Sequence, residues 1–179
     1  MQTRILTAAM TALMFVVPGM ASAGHASTRP ATLRLQHAAP SVDALLDQFV
    51  KALARRDEQA LHRLRVNEQE YRRIIIPGTV KPGEPPRQVA EEPSQFFWSM
   101  LNQKSEDLGR GMLKTRGGHT YTRKALRFTK GTRQFATYTA HGDVRLQVED
   151  EHHDTDELRA GAIVEVAGRY KFMGFYSNN

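Results

Sequence analysis

The stretch Ala162–Tyr176, AIVEVAGRYKFMGFY, alternates apolar and polar residues on either side of an Ala-Gly pair. Successive strand side chains point to opposite faces, so this pattern predicts a β-hairpin with one buried face, turning at Ala167-Gly168. The period of two begins at His119, directly after Gly117-Gly118; before that pair, apolar residues recur at intervals of three and four. Helical period first and strand period afterwards restrict the chain to an α+β domain, with N-terminal helices packed on a curved four-stranded antiparallel β-meander. The strands fall at about 119–129, 132–149, 157–167 and 169–177. Lys130-Gly131 is expected to join the first pair and the acidic stretch after Val148 the second, while Gly142-Asp143 bends the long second strand.

The helical part begins at SVDALLDQFVKAL, where Ser41 can cap and Val42, Leu45, Leu46, Phe49, Val50 and Leu53 share one face. Asp57 starts a second helix that buries Leu61 and Leu64. Asn67 and Glu70 have the spacing of a capping box for a third, with Tyr71, Ile74 and Ile75 as its apolar side. Pro77–Gln88 holds four prolines and two glycines and is predicted to be irregular. EPSQFFWSMLNQKSEDLGRGMLK then predicts a long helix with Phe97, Leu101, Leu108 and Met112 on its apolar side. Gly109 and Gly111 weaken that helix by about 1 kcal/mol each relative to Ala.

Residues 1–23 read as a cleaved secretory signal: Arg4, an apolar run from Ile5 to Val17, and the small-x-small form Ala21-Ser22-Ala23. The run is too short to span a bilayer. Residues 24–40 are expected to be a flexible lead-in and 41–179 a single domain of ordinary size. The chain has no Cys, which excludes disulfides, thiolate chemistry and lipid attachment after the cleavage site. A disulfide-free exported domain fits a bacterial periplasm, so the expected location is periplasmic or secreted. Arg4 is the only charged residue before Gly24, so the remainder carries +5 against +6 for the whole chain.

The amphipathic helix, short break and second helix of FVKALARRDEQALHRL, together with the closing strands ending GRYKFMGFY, resemble the nuclear-transport-factor-2-like superfamily. This is the α+β cone shared with ketosteroid isomerases. The resemblance covers most of Ser41–Tyr176 as a pattern of elements, and it implies a cone whose interior holds a ligand in many relatives. The proline segment and the helix from Phe96 to Leu113 depart from that pattern. Trp98, Tyr121 and Tyr138 are the candidate ligand-binding residues of such a cone, with Phe96, Phe97 and Met100 as further lining.

Taken in register, the even positions from Leu126 to Tyr176 form the face that meets the helices. Odd positions Arg123, Arg127, Arg145, Arg159 and Lys171 form an outer cationic band. Arg123, Arg127 and Arg145 are thus candidates for binding an anionic partner, and Ile163, Met173 and Phe175 beside them for a homodimer contact. Leu108–Gly142 has no acid, whereas Glu149–Glu157 contains six, an asymmetry that can steer charged partners or neutralise itself. Export removes nucleic acid as a partner, leaving anionic envelope material or a small apolar ligand.

No catalytic motif is identified; Tyr138 and His141 are the candidate acid–base groups, with no carboxylate in sight to anchor them. His152-His153 has no second His or Cys group at ligand spacing, so neither a metal site nor a cofactor is expected. The resulting expectation is an exported, non-catalytic binding or accessory domain. An isomerase- or dehydratase-like enzyme with a pocket in the cone is the first alternative, a structural dimer using the outer sheet face the second.

Overall fold

The computed structural model describes residues 34–175. The expected signal, Tyr176 and most of the lead-in lie outside them. The helices are α1 (Val42–Ala54), α2 (Glu58–Arg63), α3 (Glu68–Glu70), a π-helical turn (Tyr71–Ile75), α4 (Ile76–Gly78) and α5 (Glu91–Arg116). The strands are β1 (Thr122–Phe128), β2 (Thr132–Gln134), β3 (Thr139–His141), β4 (Val144–Glu149), β5 (Thr155–Arg159), β6 (Ile163–Val166) and β7 (Arg169–Phe172). The protein is therefore α+β, with antiparallel pairing throughout its strand ladders.

The predicted caps form. Ser41 Oγ accepts from Ala44 N at 3.1 Å, and Asp57 Oδ1 accepts from Ala60 N at 2.8 Å. Asn67 and Glu70 complete their capping box at 2.8 Å in each direction. The helix that follows widens to a π turn and ends at Pro77-Gly78, where proline has no N–H to continue the ladder.

Where the sequence expects one four-stranded meander, the strands make two sheets: β1-β4-β5 and β2-β3-β6-β7. Lys130-Gly131 does not join paired strands. β1 pairs with β4 and β2 with β3, so that dipeptide is a bend, and the turn is at Phe135–Tyr138, closed by Phe135 N to Tyr138 O at 2.8 Å. Gly142-Asp143 bends the chain between β3 and β4, with Asp143 at φ 53°. The acidic turn joins β4 to β5, and Ala167-Gly168 joins β6 to β7 with φ 49° and 70°, the left-handed pair that a tight hairpin requires.

The irregular residues 160–162 between β5 and β6 reverse the face parity. Val144, Leu146, Val148 and Leu158 pack on α1 as expected, but so does odd-numbered Ile163, opposite Phe172. Even-numbered Val164 and Val166 instead join Ile74, Ile75 and Tyr138 in a second cluster. Strand β6 and the end of β7 are thus buried on both faces, and Ile163, Phe175 and Lys171, expected on the outer face, are inside. The apolar end proposed for a dimer contact is consumed by the core.

Helix α5 packs through Leu108 and Met112 of its expected side and through small residues, but not through Phe97. Ser94, Ser105 and Gly109 are buried, while Phe96, Phe97 and Met100 are exposed. Ser105 Oγ accepts from Phe175 N at 2.5 Å, and a Cβ on Gly109 would lie 3.5 Å from the Phe175 ring. Residues 34–40 are packed rather than free: Leu35 is buried, and Ala39 pairs with Tyr170 at 3.0 and 2.9 Å.

Gly78 leaves no space for a side chain. A Cβ there would stand 1.6 Å from Thr137 Oγ1, the hydroxyl that donates to Ile74 O at 2.8 Å. Gly78→Ala is expected to displace Thr137 and cost about 1–3 kcal/mol. The urea midpoint checks it; an unchanged midpoint would mean that the Phe135–Tyr138 turn does not sit against Gly78.

Candidate functional site

The helical break between Leu64 and Asn67 runs alongside β7. Phe172 N donates to Leu64 O and Val66 N to Phe172 O, both at 2.8 Å, which holds Arg65 beside the strand that carries Lys171. His37, the end of α2, Trp98 and Asn102 of α5, and Lys171 of β7 then enclose a cleft of about 280 Å³, with Val66 in its wall. Two cations are buried here: Arg65 is 5% exposed and Lys171 2%.

Lys171 is compensated. Its Nζ donates to Glu70 Oε2 at 2.8 Å, and Glu70 is itself 3% exposed. The same carboxylate accepts from Asn67 N at 2.8 Å and Gln36 N at 2.5 Å, so one residue caps α3, ties down the incoming chain and neutralises a buried amine. Burial lowers the Lys171 pKa, Glu70 raises it, and Arg65 lowers it again.

Arg65 is different. Among the described residues no carboxylate lies within ion-pairing distance of it. Its Nη2 donates to His62 Nδ1 at 2.6 Å and to Asn102 Oδ1 at 3.3 Å, while its guanidinium carbon is 5.9 Å from the Phe175 ring centroid. Guanidinium only donates, so His62 must accept at Nδ1 and be neutral, with its proton on Nε2. Burial, and then Arg65, hold the His62 pKa below the ordinary imidazole value. Asn102 passes the contact on by donating to Glu106 at 2.8 Å, one amide removed from the cation. Burial pushes the Arg65 pKa down and Glu106 pulls it back up. With Arg65 and Lys171 set against Glu70, the buried groups at the cleft carry one excess positive charge.

No protein-family model, curated protein or solved structure matches the chain.

Of the residues expected to bind ligand, only Trp98 borders this cleft, its ring 5.5 Å from Tyr71. Tyr138 lies in the second cluster, stacked at 4.7 Å on Phe135, with its hydroxyl 3.0 Å from Thr79 Oγ1. Burial pushes its pKa up, which keeps the phenol protonated. Tyr121 donates to Arg116 O at 2.9 Å, beyond the C-terminal end of α5. The three aromatics do not share a pocket.

His141 is on the second sheet, away from Tyr138's ring, and it does have a carboxylate: Nε2 is 3.0 Å from Glu165 Oε2 and Nδ1 is 3.1 Å from Thr132 Oγ1. The cationic band is committed to internal partners. Arg123 pairs with Asp43 at 2.9 Å and Asp47 at 2.8 Å on α1. Arg127, Arg145 and Arg159 stand in one cross-strand row, all directed at Glu157 at 3.4, 3.1 and 3.3 Å. Arg145 also reaches Asp143 at 3.3 Å.

The sequence reading missed Arg65 and Asn102, and it placed Lys171 in an outer band although the residue is buried. Glu70 was visible as a cap, but nothing in its spacing showed that a lysine 101 residues later would use the same carboxylate.

Proposed function

We propose that this is an exported, non-catalytic binding domain of nuclear-transport-factor-2-like form, and that its ligand is a small organic monocarboxylate held in the Arg65 cleft. The observation that carries the reading is a buried guanidinium with hydrogen-bond partners but, among the described residues, no directly paired carboxylate. Such a cation is costly to bury unless an anion completes it. One excess positive charge suits a monoanion better than a phosphate dianion. The Trp98 ring and Val66 offer the apolar wall that the body of an organic acid needs, and the cleft is at the small end of ligand sites. Helices combined with antiparallel sheets support the α+β part of that reading.

Trp98 is the only tryptophan in the chain, so its fluorescence reports on this cleft directly. Titration with benzoate, citrate and inorganic phosphate is expected to give a saturable change with benzoate and a weaker response to the other two. Arg65→Met is expected to weaken benzoate binding by roughly thirtyfold or more, the loss for removing one partner of a desolvated charge pair. Native mass spectrometry of protein from its own compartment should show a retained small acid. A bare chain by mass spectrometry together with no response to any carboxylate would sink the reading.

A further inference from the structure

Folding supplies what the paired histidines of the acidic turn lack in the sequence. His119, directly after the glycines that end α5, comes to the turn between β4 and β5. Its Nδ1 is 3.0 Å from Glu151 Oε1, and His152 Nε2 is 3.7 Å from the same oxygen. One ligand atom from each of the three residues lies within 4.8 Å of the others. Atoms bound to one tetrahedral zinc at its usual bond lengths are about 3.3 Å apart, so the cluster needs only small side-chain rotations to close on an ion.

We propose that His119, Glu151 and His152 form a surface site for a divalent first-row metal of the zinc type. Two imidazoles and one carboxylate are a borderline donor set that suits zinc over calcium or magnesium, and they leave at least one position open to water. An imidazole nitrogen and a carboxylate oxygen at 3.0 Å repel each other unless a positive centre lies between them, either a proton or a metal ion.

The surroundings hold the ligands in place. Glu151 Oε2 accepts from Thr120 N at 2.7 Å, which joins the two segments and aims the other oxygen at the imidazoles. Asp150 Oδ1 accepts from His152 N at 2.8 Å and Asp154 N at 3.0 Å, and His153 at φ 65° closes the turn. Gly118, at φ 94°, donates to Leu53 O at 3.0 Å and so fixes where the chain leaves α5 toward His119. The six acids from Glu149 to Glu157 give the turn a negative field that draws cations. His153 is turned elsewhere, with Nδ1 3.2 Å from Glu149 Oε1, and is not a ligand.

The test is a calorimetric titration of the untagged full chain with zinc chloride. One equivalent should bind. His119→Ala and His152→Ala should each weaken binding by about a hundredfold, Glu151→Gln by at least about tenfold, and His153→Ala should leave it within twofold. In the unaltered chain, zinc should shift the His119 and His152 imidazole resonances together and leave those of His141 in place. That measurement does not depend on any variant folding. No saturable binding overturns the proposal, as does zinc that shifts His152 and His153 without His119, or binding that survives His119→Ala unchanged.

Discussion

Lys171→Met is expected to destabilise the protein by about 3–5 kcal/mol, the cost of stranding one member of a buried ion pair. Methionine fills nearly the same volume, so little of the loss comes from packing. It comes from Glu70, which stays 3% exposed and still faces Asn67 N and Gln36 N but has lost its one ion-pair partner among the described residues. Urea unfolding should show a lower midpoint with an unchanged slope. Adding Glu70→Gln to Lys171→Met should recover part of the loss, because a neutral amide can still accept one of the two backbone N–H groups, and the non-additivity measures the pair. In Glu70→Gln alone, burial and Arg65 act on the lysine without the carboxylate that raised its pKa. The folded chain then binds fewer protons than the unfolded one. Stability of this variant should therefore climb as pH rises from the lowered lysine value toward 10.5, the ordinary one. A Lys171→Met midpoint equal to that of the unaltered chain would mean Glu70 is not a buried charge.

The elements that were legible in the sequence are those set by local rules. Ser41, Asp57 and the Asn67–Glu70 box each cap within three residues of themselves, and Ala167-Gly168 turns by its own backbone preference. What the alternation could not convey was its interruption. Three residues at 160–162 reverse the parity of β6 and turn Ile163 toward α1, whereas β7 keeps its expected parity with Phe172 on α1; Lys171 is inside because Glu70 covers the other face of β7. A period of two reads the same before and after such a reversal. The candidate cleft was hidden for a related reason, since its residues come from the lead-in, the end of α2, a helix break, α5 and β7, which no local spacing connects. The glycines of α5 misled in the opposite direction. Gly109 costs helix propensity, yet a Cβ there would already touch the Phe175 ring at 3.5 Å, so the loss is repaid in packing that the sequence does not display.

Arg65→Met should act with the opposite sign to Lys171→Met, although both remove a buried cation at the same cleft. Arg65 leaves no carboxylate behind. Its partners, His62 and Asn102, are an imidazole that can turn to water and an amide already bonded to Glu106. Replacing a buried charge that has no directly paired carboxylate by an apolar side chain is expected to leave the ligand-free protein equally stable or more stable by about 1–4 kcal/mol. Methionine also keeps the contact with the Phe175 ring that the guanidinium makes at 5.9 Å. The measurement is the midpoint of ligand-free protein beside that of protein saturated with benzoate. At a benzoate concentration that saturates the unaltered chain, that chain should gain stability from the acid, and Arg65→Met should start higher and gain much less. A residue retained for stability could not give that crossing, because losing it would lower both midpoints. A fall in both would make Arg65 a structural group, with Glu106 acting through Asn102 as its effective counter-charge.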